Sequence, residues 1–140
     1  MSYESDLYEW TKEQADALRR RASNSLDWDN LAEEIESLGT SQRSEIRSRL
    51  KVLLVRLLKW KYQPEWRCGS WRGSIREARD QIDDVLEDNP SLRDYPAECL
   101  PKAYGRARMK ALDESGLLHF PEACPWTIDE ILSGEFGGWS

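Results

Sequence analysis

Apolar residues recur every three to four positions along nearly the whole chain, and valine, isoleucine and threonine fall on those stripes or at caps rather than in alternating runs. The pattern predicts an all-α fold: a compact single-domain bundle of five main helices and a short C-terminal one. Thr11 and Gln14 read as a capping box that opens the first helix, with Ala15, Leu18 and Ala22 on its inner face and residues 7–10 as a short preceding turn. Asp27 is placed to cap a second helix whose Trp28, Leu31, Ile35 and Leu38 share one face, and Gly39 stands where a left-handed C-terminal cap belongs. The third helix, about residues 41–62, carries Ile46, Leu50, Leu53, Leu57 and Trp60 in line, with Val52, Leu54, Val55 and Leu58 widening its apolar face, so it is expected to be central.

Pro64 ends that helix, and Ser70 is expected to cap a fourth in which Trp71, Ile75, Ala78, Ile82 and Val85 form a packing seam. Asn89 and Pro90 close it, Ser91 starts a short turn, and a fifth helix spans about residues 96–115 with Gly116 as its cap. Pro101 falls inside that helix and predicts a kink or a delayed start near Leu100. Thr127 and Glu130 form a second capping box for the last element. The ordered core is expected over about residues 3–133 and a loose tail over 134–140.

At 140 residues one domain of this kind can bury roughly 70% of its unfolded surface. Seven tryptophans and 39% hydrophobic residues exclude a disordered chain, while 33% charged residues imply a well-solvated exterior. The acidic start has no signal-peptide pattern and no apolar run approaches the ~20 residues of a bilayer span, so a cytoplasmic location is expected. Cys68, Cys99 and Cys124 form no Cys-x-x-Cys pair and suggest neither a disulfide framework nor a zinc knuckle. The net charge of −6 is uneven: residues 42–79 hold eleven Lys/Arg against three Glu, and both flanks are acidic.

The ordered segments YESDLYEWTKEQADALR, DWDNLAEEIESLG, RLKVLLVRLLKWKYQPEWR, SWRGSIREARDQI, EDNPSL and FPEACPWTIDEIL resemble the uncharacterised bacterial family called domain of unknown function 29, over about residues 3–132. The resemblance implies an all-helical fold and no established activity. Its characteristic positions map onto Trp10, Asp27, Glu33, Glu34, Leu58, Lys59, Trp60, Gln63, Pro64, Ser70, Trp71, Arg72, Asn89, Pro90, Pro121, Cys124 and Pro125, none with an established catalytic role. The resemblance implies histidine in many relatives just before the Leu-Leu-Lys-Trp motif, where this chain has Arg56.

The stretch KWKYQPEWRCGSWR, residues 59–72, interleaves tryptophans with basic residues and is the first candidate site. Aromatic faces stack on bases while Lys and Arg offset phosphate charge, so Trp66, Arg67, Arg72, Arg76 and Arg79 are candidate ligand-binding residues for single-stranded nucleic acid. Helical phase gives Trp60 and Trp71 another role: with Pro64 they are expected to clamp the hairpin between the third and fourth helices. The carboxylate pairs Glu33/Glu36 and Glu77/Asp80 are the one starting point for a Mg²⁺-dependent nucleotide hydrolase, yet both point away from their helices' apolar stripes. The single histidine, His119, belongs to no nucleophile motif. No cofactor, metal site or catalytic residue is assigned. The expected function is a non-enzymatic protein-interaction module, with a protein partner or self-association favoured by surplus tryptophans and by Phe136 and Trp139 in the tail.

Overall fold

The computed structural model describes residues 3–116 and 120–133, and every regular element among them is helical. Helix α1 spans Leu7–Arg19, α2 Trp28–Tyr62, α3 Gly69–Asp88, α4 Tyr95–Ser115 and α5 Ile128–Ser133; short 3₁₀ turns lie at Ser23–Ser25, Pro64–Trp66 and Pro90–Leu92. The chain divides into two compact units, Met1–Ser41 and Gln42–Ser140.

In the first unit α1 begins one turn earlier than the capping-box reading, because Asp6 rather than Thr11 is the N-cap: its carboxylate accepts from the Glu9 amide at 3.0 Å. Thr11 lies inside the helix and donates to the Tyr8 carbonyl. Gln14 turns inward, where its amide donates to the Ser25 carbonyl and its carbonyl accepts from the Asp27 amide at 2.7 Å, so it ties the connecting loop to α1. The buried face is accordingly Trp10, Gln14 and Ala17 rather than Ala15, Leu18 and Ala22, and Leu18 is exposed. The helix closes with paired bonds from Arg21 N–H to Leu18 and from Ala22 N–H to Ala17, the Schellman arrangement, with Arg21 at φ 55° in the position glycine usually takes.

The expected break at Gly39 is absent, and the second and third predicted helices are one 35-residue α2. Glycine inside a helix costs about 1 kcal/mol relative to alanine. Interrupting the helix there would strand several backbone groups at two new ends, a larger cost. Thr40 also donates from its hydroxyl to the Glu36 carbonyl, satisfying itself within the helix.

The second unit holds the main core. Its α2 segment contributes Ile46, Leu50, Leu53, Leu54, Leu57, Leu58 and Trp60; α3 adds Ile75, Ala78 and Ile82; α4 adds Cys99, Ala103, Tyr104, Ala107 and Ala111. Alanine at 103, 107 and 111 leaves α4 a smooth strip for close packing. Phe120, Trp126 and Ile131 complete the cluster. α3 is capped by Cys68 rather than Ser70. Pro101 lies within an α4 that runs on from Tyr95, and Gly116 caps it at φ 73°. The Thr127 hydroxyl and Glu130 carboxylate exchange reciprocal bonds with each other's amides at 3.2 and 3.0 Å, the geometry of a capping box. Long-range polar ties among the described residues include Tyr104 donating to the Pro121 carbonyl, Arg108 to the Phe120 carbonyl, and Arg47 to the Tyr95 hydroxyl.

Candidate functional site

At the α2–α3 corner Pro64 starts a 3₁₀ turn, and the chain re-enters a helix at Gly69. Trp60 is 4% exposed and belongs to the core, while Trp71 is half-buried against it. Arg67 folds back so that its Nε donates to the Trp60 carbonyl at 2.6 Å and its guanidinium lies 4.9 Å from the indole centroid. Arg72 approaches the same ring at 5.5 Å. The indole therefore serves two guanidinium groups as a cation–π surface. A cleft of about 320 Å³ is lined by Trp60, Arg67, Cys68, Gly69 and Arg72.

Trp66 is 65% exposed beside this cleft, and Arg76 is also exposed. Arg79 is buried, and its Nε donates to the Ile131 carbonyl at 2.8 Å, which links α3 to α5. The row Arg72, Arg76 and Arg79 thus does not form one surface stripe. Part of the basic block is likewise used inside the unit, since Arg49 pairs with Glu45 and Lys59 with Glu114. The Cys68 thiol is held below its usual range by the Ser70 hydroxyl and then by the Trp71 amide, whereas burial pushes the Cys99 and Cys124 thiols up.

Glu33 and Glu36 belong to the first unit and Glu77 and Asp80 to the second, and among the described residues no three His, Cys, Asp or Glu side chains are grouped to hold an ion. His119, Phe136 and Trp139 lie outside the described residues.

A surface not anticipated from the sequence lies on the first half of α2. Trp28, Ile35 and Leu38, read as an inner face, are 63%, 66% and 66% exposed, and Leu31 between them is half-buried. Their spacing of three and four residues makes a continuous stripe roughly 15 Å long, from a rise of about 1.5 Å per residue. The unit is anchored by other contacts: the Trp10 indole donates to the Asp27 carboxylate at 3.1 Å, Asn30 donates to the same oxygen, and Tyr3 stacks edge-on against Trp10 while its hydroxyl donates to Glu34. These bonds hold the Asp27 carboxyl below its usual range, first through Asn30 and then through Trp10. The Glu34 bond pushes the Tyr3 hydroxyl up to about 12. The stripe sits in an acidic setting, because the first 41 residues contain ten acidic and four basic side chains, a formal −6, while the remaining residues hold sixteen of each.

A family model described as "Domain of unknown function DUF29" matches residues 2–137. The chain belongs to that family. No curated protein and no solved structure matches it. Several positions that the DUF29 resemblance singled out pair with one another or secure turns: Trp10 with Asp27, Trp60 with Arg72, Asn89 with the Val85 carbonyl and Gln42, and Cys124 with the Trp126 carbonyl. These contacts serve the fold. Arg56, just before the Leu-Leu-Lys-Trp motif, is half-buried, and its Nε finds no hydrogen-bond partner among the described residues.

Proposed function

We propose that this protein is a non-enzymatic interaction module that seats a cationic amphipathic helix of a partner protein on the Trp28–Ile35–Leu38 stripe. The observation that carries the reading is an apolar heptad face left in water on a well-anchored helix. Three large apolar side chains aligned over three turns match the anchors of a helix-in-groove contact. The charge of the partner follows from the surroundings: Glu34 borders the stripe, Asp29, Glu33 and Glu36 occupy the rest of the circumference, and the unit carries a formal −6. Two copies would bring those like charges together, whereas lysine and arginine flanking a partner's apolar face would neutralise them. The cytoplasm suits this reading, since all three cysteines are free thiols.

The test is titration with a synthetic 21-residue amphipathic peptide carrying leucines on one face and lysines on the other, followed by fluorescence anisotropy. Saturable binding that weakens with salt is expected. A scrambled peptide of the same composition should bind at least tenfold more weakly, because it loses the aligned anchors. Equal binding of the scrambled peptide, no binding at low salt, or a protein whose mass doubles with concentration would each contradict the proposal.

A further inference from the structure

The second unit carries a basic groove unrelated to the tryptophan corner. On α2, Arg47 and Lys51 stand one turn apart; on α4, Lys102, Arg106 and Lys110 do the same. These side chains line three adjoining hollows of about 200, 530 and 650 Å³, each of which includes both Lys102 and Arg106. Among the described residues Glu98 and Asp113 are the only acids on the same walls, so this lining keeps a formal excess of three positive charges.

None of Lys51, Lys102, Arg106 and Lys110 makes an ion pair with an acid among the described residues, in contrast to Arg49 and Lys59 on the same α2. Five cations gathered in one trough repel one another; Lys102, Arg106 and Lys110 are exposed, and Arg47 and Lys51 are half-buried. Helical spacing sets successive cations about 6 Å apart along each wall. Neutral donors are present as well. Ser44 and Ser48 lie on the α2 wall, and Tyr95, whose hydroxyl accepts from Arg47 at 2.6 Å, keeps its own proton to give.

We infer that this α2–α4 groove binds a chain of phosphate groups, with Arg47 and Arg106 as forked ligands and Lys51, Lys102 and Lys110 as point charges. Phosphate fits better than an acidic peptide because tetrahedral oxygens accept from forked guanidinium groups and hydroxyls together. The apolar side chains on the walls, Cys99, Pro101, Ala103 and Met109, are scattered among the cations rather than gathered into one pocket for a peptide's side chains. Free oligophosphate and a nucleic-acid backbone present the same chemistry, and the measurement separates them. Among the described residues no aromatic ring in the groove is free to stack a base, since Tyr95 is held by Arg47 and by Arg43, 5.4 Å from its ring.

The experiment is isothermal titration of the full chain with inorganic tripolyphosphate and, separately, with a 20-nucleotide single strand, at low and high salt. Saturable binding of tripolyphosphate is expected, reduced at least tenfold by Lys102→Glu/Arg106→Glu and also lowered by the milder Lys102→Ala/Arg106→Ala. Circular dichroism of both variants should match the parent, because both side chains are exposed. An Arg67→Glu/Arg72→Glu variant at the corner should bind as the parent does. Binding of the strand at comparable strength per phosphate identifies the nucleic-acid backbone as a source of the ligand; binding of tripolyphosphate alone identifies the free form. Absence of binding for both probes at low salt overturns the inference. So does loss confined to the corner variant, or displacement by sulfate at equal ionic strength as effective as displacement by tripolyphosphate.

Discussion

At the scale of single residues, stability rests on a few side chains that bond backbone atoms far away in sequence. Arg79 is the clearest, since its Nε bond to the Ile131 carbonyl spans 52 residues and links α3 to α5. Arg79→Ala removes a charged donor from a buried carbonyl, which costs about 1–3 kcal/mol, and a lowered urea midpoint for the second unit is the expected outcome. Arg21 is a residue in tension with its backbone, held at φ 55° in a Schellman closure. Arg21→Gly relieves a penalty of roughly 1 kcal/mol and should raise the melting temperature. Asp27 adds a pH dependence of definite sign. Its folded carboxyl titrates below the unfolded one, so its contribution is present above the unfolded value near pH 4 and is lost as pH falls through the folded one. Asp27→Asn should flatten the acid limb of stability, read by the Trp10 fluorescence it contacts. Caps with a complete local signature were legible in the sequence, as at Thr127, Glu130 and Gly116. Thr11 misled because Asp6 offered an earlier cap and Gln14 was drawn into the loop instead.

At the scale of elements, α2 is the finding that most changes the picture. A glycine after an amphipathic run looks like a stop, but the residues following Gly39 continue the helix, and no proline or left-handed turn enforces an exit. Gly39→Ala tests this directly. A methyl group there meets nothing within 4 Å, so in a continuous helix it should stabilise the protein by about 0.5–1 kcal/mol. A destabilised variant would restore the two-helix reading. Periodicity was reliable for the second half of α2, where Ile46, Leu50, Leu53, Leu57 and Trp60 are buried. The same rule placed Trp28, Ile35 and Leu38 inward, because a hydrophobic stripe records amphipathicity and not what covers it. α3 shows the converse: its cations cluster at the N-terminal end and Asp80, Asp83, Asp84, Glu87 and Asp88 at the C-terminal end, against the helix dipole. Its seam of Ile75, Ala78 and Ile82 outweighs that opposition.

At the scale of the whole molecule, two units of unlike composition share one chain. The second has a continuous apolar core and balanced charge; the first is a small acidic unit with Trp10 and Ala17 as its buried apolar residues. Backbone amides in α1 should therefore exchange with solvent faster than those of residues 46–58, because fewer buried contacts must open. The phosphate groove escaped the sequence reading for a simple reason: Arg47 and Lys51 lie some fifty residues from Lys102 and Arg106, and only packing of α2 beside α4 makes them neighbours. The central claim, that the α2 stripe is a docking face and not part of the protein's own core, is tested most directly by Ile35→Asp/Leu38→Asp. If it is correct, the melting curve of the isolated protein stays within about 0.5 kcal/mol of the parent while the lysine-flanked peptide no longer binds. Loss of several kcal/mol of stability, or undiminished peptide binding, would contradict it.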